Sequence, residues 1–369
     1  MFDRLFRRTP SSFQVQLQPA GRSVTASSDE SILQAFLREG LPFPHNCRVG
    51  GCGECKCKLV SGKVKELTDK SYLLSAEELQ QGYILACQSR PKTDVVVEAQ
   101  LVAADAALQA TEGRIVSLKP LTGDIVHLVM DLDTVLPYRA GQYANLVVPP
   151  EAGGQAGEVR AFSFASAPDP AQPQRVDFFV RQVPGGRFTT WLNGLGQAGQ
   201  GVGQRLGVQG PVGRFGLGQV TGPMVCVAGG SGLAPIVAML QQAMADGQCQ
   251  QALTLVFGAR TQADLYARDL IDGIRQHWRG PFQCVFALAT EPADSGWSGA
   301  RGTASEVLAN LLPQVAHLAS GAQAWLCGPP GMIDACTTVL AQAGMPTAQI
   351  HQDKFLDASM TAAATAAAA

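Results

Sequence analysis

The sequence lacks a strong charge of either sign, a long unbroken apolar run and closely paired histidines. Its 369 residues carry 28 basic and 30 acidic side chains, a net charge of −2, which argues against a nucleic-acid coat or a polybasic membrane binder. The longest uncharged stretch, 215–245, contains six glycines and two prolines, so we expect strands and turns there rather than a membrane span. The five histidines are dispersed, which argues against a Rieske or histidine–carboxylate iron site in this chain.

A secretory signal is also not expected, because no apolar stretch follows the arginines at positions 4, 7 and 8. The sequence therefore predicts a cytoplasmic protein, in which the ten cysteines do not form a disulfide framework. Five cysteines cluster in the first hundred residues, which a metal site requires. The other five are scattered, which is typical of buried apolar thiols.

Changes of pattern divide the chain into three segments and a tail. Residues 1–105 combine short strands with a helix expected to begin at the capping box Ser27–Glu30, followed by a cysteine-rich loop. Residues 112–218 alternate β-rich runs with Gly/Pro turns and predict an antiparallel barrel without long helices. Residues 219–356 alternate apolar strands with helices and predict a parallel sheet covered on both faces. Residues 357–369, nearly all Ala and Thr, predict a disordered tail.

The amino-terminal cysteines have the spacing C-x4-C-x2-C…C of a plant-type [2Fe–2S] site. The glycines at 50, 51 and 53 remove the Cβ atoms that would obstruct a tight loop around the sulfurs. Zinc is the chemical rival, but zinc sites usually pair C-x2-C with a second cysteine or histidine pair. Cys57 has no place in the four-ligand spacing and is left out. The predicted ligands are Cys47, Cys52, Cys55 and Cys87.

Two motifs in the barrel segment fit a flavin dinucleotide. A diphosphate needs an arginine for bidentate contact and backbone N–H donors with hydroxyls nearby, and an isoalloxazine ring needs an apolar wall with one hydrogen-bonding group. Each motif alone is a weak signal, whereas their order behind an iron–sulfur loop is a stronger one. The motifs are Arg160-Ala161-Phe162-Ser163 and Gly186-Arg187-Phe188-Thr189.

Two glycine-rich turns in the third segment fit a nicotinamide dinucleotide. The first joins a strand to a helix whose amino terminus offers free N–H groups to a pyrophosphate, although it is not the Rossmann G-x-G-x-x-G and no acidic residue ends the next strand. Because ligands bind at the carboxyl ends of parallel strands, both turns should line one crevice. Cys327 is either a buried thiol or a neighbour of the nicotinamide ring. The turns are Gly229-Gly230-Ser231-Gly232-Leu233-Ala234-Pro235 and Cys327-Gly328-Pro329-Pro330.

Taken in this order, the motifs make the chain similar to the ferredoxin–NADP reductase superfamily. Within it, the chain resembles the reductase components of bacterial aromatic-ring dioxygenases and multicomponent monooxygenases that carry an amino-terminal ferredoxin domain. The resemblance covers about residues 12–356. It implies a multidomain fold: an α+β ferredoxin domain of β-grasp type, an antiparallel FAD-binding barrel and an α/β parallel-sheet NAD(P) domain.

The resemblance also implies roles for single residues. It assigns FAD to the Arg160 and Gly186 motifs and the nicotinamide nucleotide to the Gly229 and Cys327 motifs. Ser163 and Cys327 would orient the two rings, and Phe355 is a candidate for the aromatic residue that often ends the family near the flavin. Arg260 could pair with a 2′-phosphate, but Gly-Ala-Arg-Thr followed by Asp264-Leu265 resembles the NADH-using members, so we favour NADH over NADPH.

The function implied is electron transfer from NADH through FAD to the [2Fe–2S] cluster. The electrons would then pass to a terminal oxygenase or hydroxylase component, either directly or through a separate ferredoxin. Two alternatives stay open on the sequence alone. The chain could reduce a quinone or small acceptor directly, or it could be a non-enzymatic electron carrier with the flavin domain as a scaffold.

Overall fold

The computed structural model describes residues 11–45, 50, 53–71, 73–74, 76–101, 109–155, 158–218, 220, 222–312 and 321–355. The chain forms two compact units, one within residues 1–107 and one over residues 108–355. No helix in these ranges is long and apolar enough to cross a bilayer. The predicted tail at 357–369 lies wholly outside the described residues.

The described residues of the amino-terminal unit form a mixed sheet and two α-helices, the first of which packs in the core of the sheet. Its five-stranded sheet has the order β2-β1-β7-β3-β5, in which β1 and β7 are parallel and the other pairs antiparallel, and β4 pairs with β6 separately. Alternate residues of β1, such as Val15 and Leu17, are buried with the apolar face of α1. The elements are β1 Ser12–Gln18, β2 Arg22–Ser27, α1 Ile32–Arg38, β3 Lys56–Ser61, β4 Val64–Glu66, α2 Ala76–Gln80, β5 Tyr83–Leu85, β6 Ser89–Pro91 and β7 Val95–Glu98.

Helix α1 begins later than the sequence predicts. Its N-cap is Ser31, whose hydroxyl accepts a hydrogen bond from the Gln34 N–H at 3.2 Å while the Gln34 side chain accepts from the Ser31 N–H at 2.9 Å. The predicted box at Ser27–Glu30 is wrong, although Glu30 does accept a bond from the Ser27 N–H at 3.3 Å. That bond closes a turn before the helix. The turn and the capping box are easily confused in the sequence, because both use the same side-chain chemistry. The helix ends at Arg38, and Gly40, which has a positive φ of 70°, follows its C-cap Glu39.

The first half of the second unit is a six-stranded antiparallel barrel, as the alternation predicts. The strand order is β11-β10-β13-β8-β9-β12, and an isolated bridge between Phe164 and Phe178 joins the two ends. Inward residues of all six strands form one apolar core. The elements are β8 Gln109–Pro120, β9 Ile125–Leu132, β10 Tyr143–Val147, β11 Val159–Ser163, β12 Arg175–Arg181, α3 Arg187–Gln197 and β13 Arg205–Val212.

Two barrel elements were not predicted. Strand β13 contains Gly207, Gly210 and Pro211, which together read as turn signals, yet the strand pairs with both β8 and β10. Helix α3 has eleven residues and contradicts the expectation of a barrel without long helices. Its sequence includes Gly194 and Gly196, which lower helix propensity. Burial of Phe188 and Leu192 against the barrel stabilises the helix instead.

The second half is the predicted parallel sheet with helices on both faces. Its order is β17-β16-β15-β14-β18-β19 and every pair is parallel. In β14, Cys226 faces one apolar core with α4 and α5, whereas Val225 and Val227 face another with α6 and α7. The elements are β14 Met224–Gly229, α4 Leu233–Ala245, β15 Leu253–Ala259, α5 Arg268–His277, β16 Phe282–Leu288, β17 Ala300–Arg301, α6 Ala304–Leu311, β18 Gln323–Gly328, α7 Pro330–Gln342 and β19 Ile350–Lys354.

Ser31→Ala should loosen helix α1, and Ser27→Ala, which removes the cap of the predicted earlier box, should not. Loss of an N-cap side chain costs about 1 kcal/mol, so amide hydrogens of residues 32–38 should exchange about fivefold faster in Ser31→Ala. Hydrogen–deuterium exchange of the intact protein measures this. Faster exchange in Ser27→Ala alone would mean that the helix begins at the earlier box.

Candidate functional site

Two of the four predicted cluster ligands lie in the described part of the amino-terminal unit and face each other. Cys55 and Cys87 are both buried, and the Cys87 N–H donates to the Cys55 sulfur at 3.5 Å although 32 residues separate them. Backbone N–H donors to sulfur are what a thiolate-bound cluster requires, so these two thiols fit one. Cys47 and Cys52 lie outside the described residues. Cys57 is buried in the core cluster, on strand β3 opposite Ile84.

The predicted diphosphate residues lie together at one end of the barrel. Arg160 on β11 and Arg187 in the first turn of α3 both bind Glu158, at 2.6 Å and 3.1 Å. The hydrogen bond from the Gln155 N–H, and then the one from Arg160, hold the pKa of Glu158 below its usual value. The carboxylate therefore fixes two guanidinium groups beside each other. Both are about half exposed.

The phosphate turn is shaped by its own side chains. The Thr189 hydroxyl accepts from the Val183 N–H at 3.0 Å and donates to the Gly186 carbonyl at 3.3 Å, so it closes the turn and is buried. Gly186 is the N-cap of α3 and makes no side-chain cap bond, and a Cβ there would lie 2.7 Å from the Thr189 oxygen. The uncapped N–H groups, next to two arginines, fit a diphosphate.

The rest of the predicted flavin motif forms the end of β11. Phe162 packs at 5.9 Å, centroid to centroid, against Phe188, which is itself buried in the barrel core rather than open to a ligand. Ser163 is 7% exposed and lies opposite Tyr143 in the β10–β11 pair. Ala161 is exposed and lies opposite Asn145. The strand thus presents an aromatic ring and a hydroxyl in successive positions.

Both predicted nucleotide turns meet at the carboxyl edge of the parallel sheet. Strands β14 and β18 pair in register up to Ala228 and Cys327, so the chain leaves both strands at the same level. A Cβ on Gly232 would lie 2.3 Å from the Cys327 carbonyl oxygen, and only glycine allows this approach. Ser231 and Gly232 form a helical turn before α4, and Pro235 is buried in the first turn of that helix.

The turns open into a crevice of about 210 Å³ that the barrel also lines. Arg181 at the end of β12 extends over the first turn, and its Nη1 atom lies 3.8 Å from a Cβ built on Gly230. Asp124, just before β9, binds Arg181 Nε at 3.2 Å. Neither Arg181 nor Asp124 could be selected from the sequence, because only the fold brings them to Gly230. The crevice is lined by Asp124, Ile125, Arg181, Gly229, Gly230, Gly258, Ala259, Arg260, Asp264, Ala289, Thr303, Ala304, Pro329 and Met332.

Arg260 lines the crevice but is already paired. Its Nη2 atom lies 2.6 Å from Asp264 and 3.4 Å from Asp124. The hydrogen bond to Asp264 raises the pKa of Arg260. Burial opposes ionisation of Asp264, but bonds from Arg260 and Thr261 outweigh it and lower the pKa of that carboxyl. Asp264 thus supplies the carboxylate that the strand end itself lacks.

Cys327 is a protonated, fully buried thiol. Burial, and then the carboxylate of Asp353, raise its pKa well above the usual value. Its sulfur lies 3.9 Å from Asp353 Oδ2 on the neighbouring strand β19. The next residues bring Phe355 beside it, since the Phe355 N–H donates to the Gly328 carbonyl at 2.8 Å. The predicted ring-orienting residues of the sheet, Cys327 and Phe355, are therefore adjacent.

Tyr266 is a further residue that the sequence did not identify. Its hydroxyl donates to the Gly230 carbonyl at 2.9 Å, and its ring packs edge-to-face on Phe257 and on the barrel residue Phe179. Burial raises the pKa of Tyr266 well above its usual value, so the phenol stays a donor. The residue ties the first turn to the packing between barrel and sheet.

Comparison with known protein families accounts for most of the chain. Residues 15–92 match the 2Fe-2S iron–sulfur cluster binding domain, residues 112–216 the oxidoreductase FAD-binding domain, and residues 226–338 the oxidoreductase NAD-binding domain. The three models follow one another in the order of the predicted segments.

Whole proteins match as well. The chain is 37% identical over 347 residues to the xylene/toluene monooxygenase electron transfer component of Pseudomonas putida, covering 94% of each chain. It is 30% identical to the phenol hydroxylase P5 protein of Acinetobacter pittii, covering 95% of this chain and 97% of that one. Among solved structures, the cytochrome P450 reductase GcoB of Amycolatopsis superposes with a TM-score of 0.70 at 32% identity, covering 93% and 98%.

These similarities extend over nearly the whole chain and confirm the fold class, the cofactors FAD and [2Fe–2S], and the NAD-binding domain expected from the motifs. The chain belongs to the family of electron-transfer reductase components of multicomponent oxygenases, NAD(P)H-dependent flavin and iron–sulfur oxidoreductases that deliver electrons to an oxygenase partner.

Proposed function

We propose that this reductase takes electrons from NADH in the crevice at the sheet edge and delivers them to the hydroxylase of an aromatic monooxygenase in the cytoplasm. The delivery is direct or through a separate ferredoxin. The observation that carries the proposal is the crevice, where both glycine-rich turns of the sheet meet Arg181 of the flavin barrel. The relatives in xylene/toluene and phenol oxidation support an aromatic substrate for the partner.

The chemistry that FAD and a [2Fe–2S] cluster would supply when bound is the conversion of a two-electron hydride transfer into single-electron transfers. The polypeptide binds and orients. Arg160, Arg187 and the uncapped start of α3 would hold the diphosphate of FAD, and Ser163 would hydrogen-bond the ring next to Phe162. Cys55 and Cys87 would hold the cluster with Cys47 and Cys52.

On the sheet, Arg181 and the N–H groups around Gly230 would bind the pyrophosphate of the nicotinamide nucleotide. Cys327 is a neutral thiol, so it would act as a packing surface for the nicotinamide ring and not as a nucleophile. Phe355 would cover the same region from the end of β19. Anaerobic titration with NADH tests whether the protein is an NADH-dependent enzyme. The flavin absorbance should bleach, and a protein that stays yellow would contradict the proposed function.

NADH is the proposed nucleotide. Arg260, the residue that could read a 2′-phosphate, already shares its charge with Asp264 and Asp124. A 2′-phosphate would have to displace the Asp264 carboxylate, which lies 2.6 Å from Arg260 Nη2, whereas a 2′-hydroxyl can donate a hydrogen bond to Asp264. A kcat/KM for NADPH above that for NADH would contradict this choice.

Arg160→Gln should weaken FAD binding by roughly tenfold to a hundredfold, because a charge-assisted contact to the diphosphate is lost. Fluorescence titration of the apoprotein measures the Kd directly. Riboflavin has the same ring and no phosphate, so it is the control ligand, and its Kd should not change. Equal weakening of riboflavin and FAD would place Arg160 outside the diphosphate site.

Cys87→Ala should abolish the cluster, whereas Cys57→Ala should retain it. Both thiols are buried in the same core, so packing losses are comparable, but only Cys87 has the predicted ligand spacing. Iron content and the visible spectrum measure the outcome. Loss of iron from Cys57→Ala with retention in Cys87→Ala would reverse the ligand assignment.

Tyr266→Phe should raise the Kd for ADP-ribose about threefold to tenfold, since one hydrogen bond to the Gly230 turn is lost. Tyr138→Phe is the matched control, because its buried hydroxyl donates to the Ser166 carbonyl at 3.1 Å in the barrel. Calorimetric titration measures both. An equal loss in the two variants would show that Tyr266 acts through general packing and not through the turn.

A further inference from the structure

A carboxylate of the flavin barrel is part of the nucleotide crevice. Asp124 lies in the turn before β9, where its Oδ1 accepts from the Thr122 hydroxyl at 3.0 Å. Its other oxygen, Oδ2, is shared by two arginines, Arg181 at 3.2 Å and Arg260 at 3.4 Å. Arg181 belongs to the barrel, and Arg260 follows strand β15 of the sheet. Asp124 therefore joins an arginine of each half of the unit.

The charges of the four ionised side chains that line the crevice balance one another. Arg181 and Arg260 contribute two positive charges, and Asp124 and Asp264 contribute two negative ones. All four line the same crevice, and the side chain of Asp124 is 26% exposed. Because Asp264 and Asp124 compensate the charge of Arg260, this end of the cluster offers little attraction to a 2′-phosphate dianion. Removal of either carboxylate would leave one guanidinium charge uncompensated.

Arg260 lies at the strand end that, in dinucleotide-binding sheets, distinguishes a 2′-hydroxyl from a 2′-phosphate. In parallel sheets the adenosine ribose lies at the end of the strand that follows the pyrophosphate turn, an acidic residue favours its 2′-hydroxyl, and a nearby arginine accommodates a 2′-phosphate. Here that strand is β15 and the arginine follows it directly. Asp264 pairs with the Arg260 guanidinium from the same chain segment. Asp124 pairs with it from the barrel, which is distant in sequence.

We propose that Asp124 is a specificity-determining residue that disfavours 2′-phosphorylated nucleotides by holding the Arg260 guanidinium from the barrel side. This inference rests on the proposed function, in which the crevice binds a nicotinamide dinucleotide. Selectivity for NADH over NADPH in this reductase is accordingly shared between residues of the flavin barrel and residues of the nucleotide sheet. The β15 segment alone does not determine it.

Asp124→Asn is the direct test. Asparagine keeps the acceptor for Thr122 but removes the charge shared by the two arginines. The probes are ADP-ribose and 2′-phospho-ADP-ribose, titrated calorimetrically into the full chain loaded with FAD and cluster. Both probes carry the pyrophosphate, so any loosening of Arg181 affects both equally. The ratio of the two Kd values then reports the 2′-position alone. We expect it to shift roughly tenfold toward the phosphorylated probe.

Asp131→Asn is the matched control. Asp131 pairs with Arg175 at 2.8 Å across β9 and β12, the same two strands that flank the Asp124–Arg181 pair, and it does not line the crevice. This variant should leave the ratio unchanged. The double variant Asp124→Asn/Arg260→Gln should lose the tenfold shift, because the freed guanidinium is gone. The ratio of kcat/KM values for NADPH and NADH should follow the binding ratio.

The outcomes separate the inference from the proposed function. If Asp124→Asn leaves the ratio at the wild-type value, or if Asp131→Asn shifts it equally, the role of Asp124 is rejected. If the shift survives in the double variant, Arg260 is not its source and the inference is likewise rejected. If the unaltered protein binds neither probe while NADH still bleaches the flavin, the nucleotide crevice itself is misassigned.

Discussion

The in-register pairing of β14 with β15 and β18 is the constraint on which the nucleotide site depends. Parallel strands that end at one level deliver their connecting turns to one edge. Ala228 lies opposite Phe257 on one side and Cys327 on the other, so three chain segments leave the sheet together. A shift of one residue in either pair would turn every side chain of a strand to the other face and so exchange the residues that pack in the two apolar cores. The geometry of the crevice is therefore fixed by the same burial that stabilises the sheet.

The barrel contributes more than a platform for the flavin. Its end near α3 collects positive charge around Glu158, and its end near β9 supplies Asp124 and Arg181 to the crevice. Tyr266 connects the barrel to the sheet, since its ring packs on Phe179 of the barrel and its hydroxyl donates to the Gly230 carbonyl in the sheet's first glycine turn. Barrel and sheet of the second unit thus share residues at their common boundary. Electron transfer needs such closely defined neighbours, because donor and acceptor rings must be held in one orientation.

Motifs whose residues are neighbours in the sequence could be predicted from it. The apolar strand, glycine turn and helix at 224–245 obey local rules of propensity and capping, and the structure has them where expected. Strand β13 was missed because its glycines and proline favour turns, whereas pairing on both sides stabilises it. Long-range partners gave no signal at all. Asp124 and Arg260 are 136 residues apart, and only the fold brings their charges into contact.

The burial of Cys327 has a consequence for the durability of the protein. Oxidants such as hydrogen peroxide attack cysteine through its thiolate. A sulfur that stays protonated and has no exposed surface is a poor target for such attack. A soft, polarisable sulfur can therefore pack in the core beside the glycine turns without becoming a site of oxidative damage.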